Sequence, residues 1–150
     1  MTSRSDEGFT LIEMIVVLTI LGLMLTLVMS AVKPVSPATH AHAAAQTIAG
    51  ALRSAHAEAL SENRSVSFSL DLVSRSYRMD SGPVQTLPND LQVSLLTSRD
   101  QLVADGVGRI RFDPDGGSTG GRVTIAGGDR VWFVGVDWLS GRVSVEEKPR

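Results

Sequence analysis

The chain has no cysteine, which excludes a disulfide framework and a thiolate metal site. Aromatics are scarce, 5% of 150 residues against 43% hydrophobic residues in all, so a core must be aliphatic and thin. A basic surplus is also missing. The formal net charge is −2, whereas nucleic-acid binders carry a strong positive excess. The glycine-rich stretch Gly116–Gly121 is not followed by Lys-Ser/Thr, so it is no phosphate loop and reads as a flexible hairpin tip. His40, His42 and His56 do not share an i,i+4 helix face, which argues against zinc and leaves them as solvated side chains. Asp113, Asp115 and Asp129 lack the further oxygen ligands and the closing glutamate of a calcium loop. Asp113-Pro114-Asp115-Gly116-Gly117 therefore reads as a turn. No Ser/His/Asp arrangement is present, and nothing calls for an enzyme, a metal or a cofactor.

One further absence is local. No charged residue lies between Met14 and Val32, a run of nineteen residues reading MIVVLTILGLMLTLVMSAV. As a helix it is about 28 Å long, close to the ~30 Å hydrocarbon core of a bilayer. Its polar residues, Thr19, Thr26 and Ser30, form no stripe, so the pattern predicts a transmembrane helix. A secretory signal peptide would have a basic start and a shorter apolar region. Here Arg4 is offset by Asp6 and Glu7. An uncleaved signal anchor is the alternative reading. Glu13 stands inside the apolar segment that begins at Phe9. A carboxylate at that depth costs roughly 2.5–3.5 kcal/mol at a helix centre and less near an end, so it invites a functional explanation. Its plainer explanation is a side chain reaching to the headgroups.

The string Gly8-Phe9-Thr10-Leu11-Ile12-Glu13 resembles the type IV prepilin signal shared by type IV pilins and type II secretion pseudopilins. The resemblance implies cleavage between Gly8 and Phe9 by a prepilin peptidase, N-methylation of Phe9, and Glu13 as the family's membrane glutamate. A positive α-amine on Phe9 of one subunit and the Glu13 carboxylate of a neighbour are each costly alone in low dielectric. Pairing lowers that cost and would bring subunits into register. Charge alone leaves the orientation open, because the leader is not clearly basic and Lys33 flanks the other end. A cytoplasmic N-terminus follows from the resemblance.

Beyond the apolar run, Lys33-Pro34-Val35-Ser36-Pro37 should break or kink the helix. Ala41, Ala45, Ile48, Leu52, Ala55 and Ala59 then recur at spacings of three and four, predicting an amphipathic helix from about Ala38 to about Glu62, stopped at Asn63. After Asn63 the period becomes two, with Val66, Phe68, Leu70 and Leu72 alternating with polar residues. Further strands are expected at Ser76–Met79, Leu91–Leu95, Arg109–Phe112, Arg122–Ile125, Val131–Val136 and Arg142–Val145, separated by close turn signals that imply antiparallel hairpins. Trp132 reads as a core residue and Trp138 as partly exposed.

The fold class is α+β: a long N-terminal helix, half transmembrane and half periplasmic, packed on an antiparallel β-sheet or β-sandwich in a pilin-like manner. The expected organisation is a leader at 1–8, a transmembrane helix at 9–33, a periplasmic helix at 34–63 and a β domain at 64–150.

Three segments resemble the type II secretion protein H family: Leu52-Arg53-Ser54-Ala55-His56-Ala57-Glu58-Ala59 with Arg64-Ser65-Val66-Ser67-Phe68, then Phe112-Asp113-Pro114-Asp115-Gly116-Gly117-Ser118-Thr119-Gly120-Gly121, and Val136-Asp137-Trp138-Leu139-Ser140-Gly141-Arg142-Val143. The resemblance implies a minor pseudopilin near the tip of a periplasmic fibre. Its partners would be a prepilin peptidase/methyltransferase, other minor and major pseudopilins, an inner-membrane assembly platform and the lipid bilayer, with no nucleic acid. The alternative is a minor pilin of a type IV pilus, with Arg109, Arg111 and Arg142 as the candidates for a DNA-facing surface.

Overall fold

The computed structural model describes residues 10–31, 36–80, 82–97, 102–104 and 106–150, with the backbone alone at 28–31 and 102–104. The chain divides into two compact units, Met1–Pro34 and Val35–Arg150.

In the first unit, α1 spans Leu11–Ala31. Thr10 caps it: the Thr10 carbonyl and Oγ1 both accept from the Glu13 backbone N–H, at 3.1 and 3.3 Å. Thr10-Leu11-Ile12-Glu13 thus has the spacing of a capping box. The helix has no polar face. Every large apolar side chain from Leu11 to Leu27 is at least 44% exposed.

The second unit begins with α2, Pro37–Glu62. Ser36 is its N-cap, accepting from the Ala38 N–H, and Pro37 occupies the first turn, where a missing donor costs nothing. Asn63 ends it in the left-handed conformation, its N–H returning to the Ala59 carbonyl. The predicted apolar stripe is fully buried, and Ala44 and Ala49 widen it.

Among the described residues, nine strands form two antiparallel sheets. They are β1 (Val66–Asp71), β2 (Ser76–Met79), β3 (Gln85–Thr86), β4 (Gln92–Leu96), β5 (Leu102–Ala104), β6 (Val107–Phe112), β7 (Gly121–Gly127), β8 (Arg130–Val136) and β9 (Val143–Pro149). The first sheet runs β3-β2-β1-β6-β5 and the second β4-β7-β8-β9. All seven expected strands are present. The two additions, β3 and β5, are too short to show a period. The last strand reaches Pro149 instead of stopping near Val145. Its polar end, Glu146-Glu147-Lys148, pairs with Val131–Phe133 at an exposed sheet edge, so no apolar alternation marks it in the sequence.

One core joins α2 to both sheets. The first sheet supplies Val66, Phe68, Leu70, Ile110 and Phe112, and the second supplies Val123, Ile125, Trp132 and Val134. Phe68 and Tyr77 stack at 5.5 Å. Alanine on α2 lets the second sheet come close. A side chain at Gly127 would meet the Pro37 carbonyl and, at 2.7 Å, the Ala41 methyl, so glycine is required at that contact. Trp132 lies in the core, 3% exposed on inner strand β8, whereas Trp138 is 67% exposed.

Candidate functional site

The residues singled out at the N-terminus do not all fall within the described structure. Gly8 and Phe9 lie outside it. Glu13 is the third residue of α1, exposed, and among the described residues its carboxylate has no hydrogen-bond or ion-pair partner. Its backbone completes the cap while its side chain stays available. Among the described residues no helix is long and apolar enough to cross a membrane. The described side chains of α1 end at Leu27, while the uncharged run of the sequence continues to Val32.

A second constellation closes the other end of α2. Arg64, just past the helix, reaches Glu62 at 2.6 Å and Asp80 at 2.5 Å, and also pairs with Glu58. These contacts raise the Arg64 pKa above its ordinary value, Asp80 and Glu62 contributing most. Burial pushes the Asp80 carboxyl up. The Ser67 N–H, the Arg64 guanidinium and the nearby Arg109 charge outweigh it and hold Asp80 below the usual carboxylate range. The cluster ties the end of α2 to β1 and β2.

The protein-H-like segments meet beside this end of α2. In the turn after β6, the Gly116 N–H donates to the Asp113 carbonyl at 3.0 Å and the Asp113 N–H to the Gly117 carbonyl at 2.9 Å. Asp113 also accepts from the Ser65 hydroxyl at 2.7 Å and pairs with Arg111 at 3.1 Å, so its carboxylate is used in holding the turn. The stretch that follows is not the flexible tip its glycines suggested. The Ser118 N–H donates to the Trp138 carbonyl and the Thr119 N–H to the Arg111 carbonyl, each at 2.9 Å, while Thr119 Oγ1 accepts from the Arg111 N–H at 3.0 Å. Glycine composition describes conformational freedom, but these hydrogen bonds remove it.

The turn after β8 is built by Asp137, which accepts from the Ser140 hydroxyl at 2.7 Å and its N–H at 2.9 Å. These bonds lower the Asp137 pKa, the hydroxyl first. Gly141 closes the turn at φ +63°, and a methyl there would come within 2.7 Å of the Gly116 carbonyl and of His56 Nε2.

His42 is exposed and the His40 side chain is largely so, as a solvated reading expects, whereas His56 is partly enclosed. His56 stacks on Phe112 at 5.4 Å with Nε2 enclosed and unpartnered. His40 binds Asp90 at 2.8 Å, and His42 lies edge-on to Trp132 at 5.8 Å. His42 and His56 thus touch strand residues, while His40 meets the loop before β4. Among the described residues no group of three or more His, Cys, Asp or Glu could hold a metal ion.

The family model described as Type II transport protein GspH matches residues 44–141, the helix and both sheets just described. The chain belongs to the GspH family of type II transport proteins. That is the family of minor pseudopilins that the sequence resemblance implied. A second model, the prokaryotic N-terminal methylation motif, matches residues 3–29. Type II secretion system protein H of Xanthomonas campestris pv. campestris is 29% identical over 140 residues, covering 93% of this chain and 83% of that protein. Among solved structures, the minor pseudopilin EpsH of the Vibrio cholerae type 2 secretion system superposes with a TM-score of 0.59 at 17% identity, covering 71% of this chain and 96% of that one. The two share a fold. The type IV minor pilin FimU of Pseudomonas aeruginosa gives a TM-score of 0.49 at 16% identity, covering 70% and 91%.

Proposed function

We propose that this GspH-family chain is a minor pseudopilin that enters the periplasmic fibre of a type II secretion system at or near its tip, where the fibre drives export of folded proteins. The observation that carries this reading is α1, apolar and exposed on every side, with a carboxylate at its third position that has no partner among the described residues. A helix without a polar face needs an apolar surrounding. A bilayer supplies it before assembly, and the packed helices of a fibre supply it afterwards.

The methylation motif and the family support the remaining assignments. A prepilin peptidase/methyltransferase cuts between Gly8 and Phe9 and methylates Phe9. Residues 9–33 anchor the chain as a single pass in the inner membrane, with the N-terminus cytoplasmic. The helix over 34–63 and the β domain over 64–150 lie in the periplasm. Glu13 pairs with the freed amine of an adjacent subunit. The partners are other minor and major pseudopilins and the inner-membrane assembly platform. The role is structural, not enzymatic. A minor pilin of a type IV pilus is the alternative, and the family match favours secretion.

Intact-mass measurement of the membrane-extracted chain should give a methylated polypeptide beginning at Phe9, and Glu13→Gln should still insert but no longer enter the fibre. A working protein that keeps Met1–Gly8, or normal secretion by E13Q, would overturn the reading.

A further inference from the structure

The outer face of the first sheet carries charges that neither the core nor the N-terminal segment uses. Side chains alternate along β1: Val66, Phe68 and Leu70 point inward, and Ser67, Ser69 and Asp71 point away. Pairing places Arg78 of β2 opposite Ser69 on one side and Arg109 of β6 opposite it on the other. With strands about 4.8 Å apart, the two arginine Cα atoms stand about 10 Å apart across one strand. The short Ser69 side chain leaves a depression between them of about 460 Å³, lined also by Ser67 and Asp80.

The other charges on this face are already engaged. Asp80 is held by Arg64 and the Ser67 N–H, Arg111 is paired with Asp113, and Asp71 caps the Val73 and Ser74 N–H groups. Among the described residues Arg78 and Arg109 have no ion-pair or side-chain hydrogen-bond partner, and Arg109 Nε is enclosed without an acceptor. Val84, 59% exposed, is the apolar rim of an adjoining depression that shares Ser69, Arg78 and Arg109.

We infer that this slot receives an acidic segment of a neighbouring protein subunit, one carboxylate on Arg78 and another on Arg109. Guanidinium groups bind carboxylates as forked, charge-assisted pairs, and a rim that excludes water strengthens them. A nucleic acid fits less well, because its affinity needs many phosphate contacts and this row is flanked by Asp71, Asp80 and Asp113. The inference rests on the fibre-subunit reading, which supplies a neighbour in fixed register.

The test uses the full-length chain in cells that carry its secretion machinery, with Val84 replaced by the photoreactive p-benzoylphenylalanine. A separate strain carries the same probe at Leu18 to report contact between α1 and other subunits. The expected result is a Val84 adduct that maps to an Asp- or Glu-bearing segment of another subunit. It should fall at least tenfold in R78Q/R109Q, which removes both charged contacts, and partly return in R78K/R109K. Adducts to lipid or nucleic acid, a segment without carboxylates, or a yield indifferent to R78Q/R109Q would overturn the inference. So would the absence of a Val84 adduct while the Leu18 adduct forms, which would leave the fibre reading standing. Failure of both adducts would remove the fibre reading and this inference with it.

Discussion

The two helices differ in where their partners are. The stripe of α2, from Ala41 to Ala59, is completely covered by sheets of the same chain, and its remaining faces are polar. By contrast, α1 has large apolar side chains on all faces, each substantially exposed. The first is a helix whose environment is encoded within its own sequence. The second is a helix whose environment must come from other molecules. Stability of the folded unit should therefore depend on α2, and function on α1, with little exchange between the two.

Paired substitutions are the sharpest way to break that contrast. Leu52→Ala, in the buried stripe, should destabilise the β unit by about 2–5 kcal/mol. Leu18→Ala in α1 should shift it by no more than about 0.5 kcal/mol. Urea unfolding in detergent, followed by the fluorescence of buried Trp132, measures both. Equal effects would mean that the helices are not separable in this way.

Next in size are the glycines that let α2 approach its partners. Gly127→Ala forces a methyl against Pro37 and Ala41 and should cost about 1–3 kcal/mol. Gly141→Ala strains a left-handed residue packed on His56, at about 1–2 kcal/mol. Thermal unfolding of each variant checks these values.

A smaller effect should appear with acid at the end of α2. The Asp80 pKa is lowered in the folded chain, so the stability it contributes is present above its unfolded value, about 3.9. It is lost as pH falls through the still lower folded value. The melting temperature should therefore drop below about pH 4, and Asp80→Asn should flatten that part of the profile. The smallest effect belongs to the outer face of the second sheet, where Arg122 lies 5.7 Å over the Phe133 ring. Arg122→Gln should cost only about 0.5 kcal/mol, detectable by careful denaturant titration.

Much of this molecule was legible in its sequence because the signals were periodic or rested on one residue type. Threes and fours marked α2, alternation marked β1, and Asn63 marked the boundary between them. The N-terminal methylation motif was readable because its residues lie side by side in the chain. His56 and Gly116–Gly121 were misjudged for a common reason: residue type suggests freedom, but contacts distant in sequence determine whether that freedom survives. The Arg64 cluster was missed because Glu58, Glu62 and Asp80 are each unremarkable surface acids until the chain folds them around one guanidinium.

The sequence by itself determined the elements, their order and the buried face of α2, since hydrophobic period and turn chemistry act over a few residues. Only the tertiary structure decided how the strands divide between two sheets, with β4 leaving the first sheet for the second and β6 returning to pair with β1. It also decided that Arg78 and Arg109 flank one serine. Strand partnership depends on matching whole apolar faces across the core, and no local pattern encodes which distant strand supplies the match.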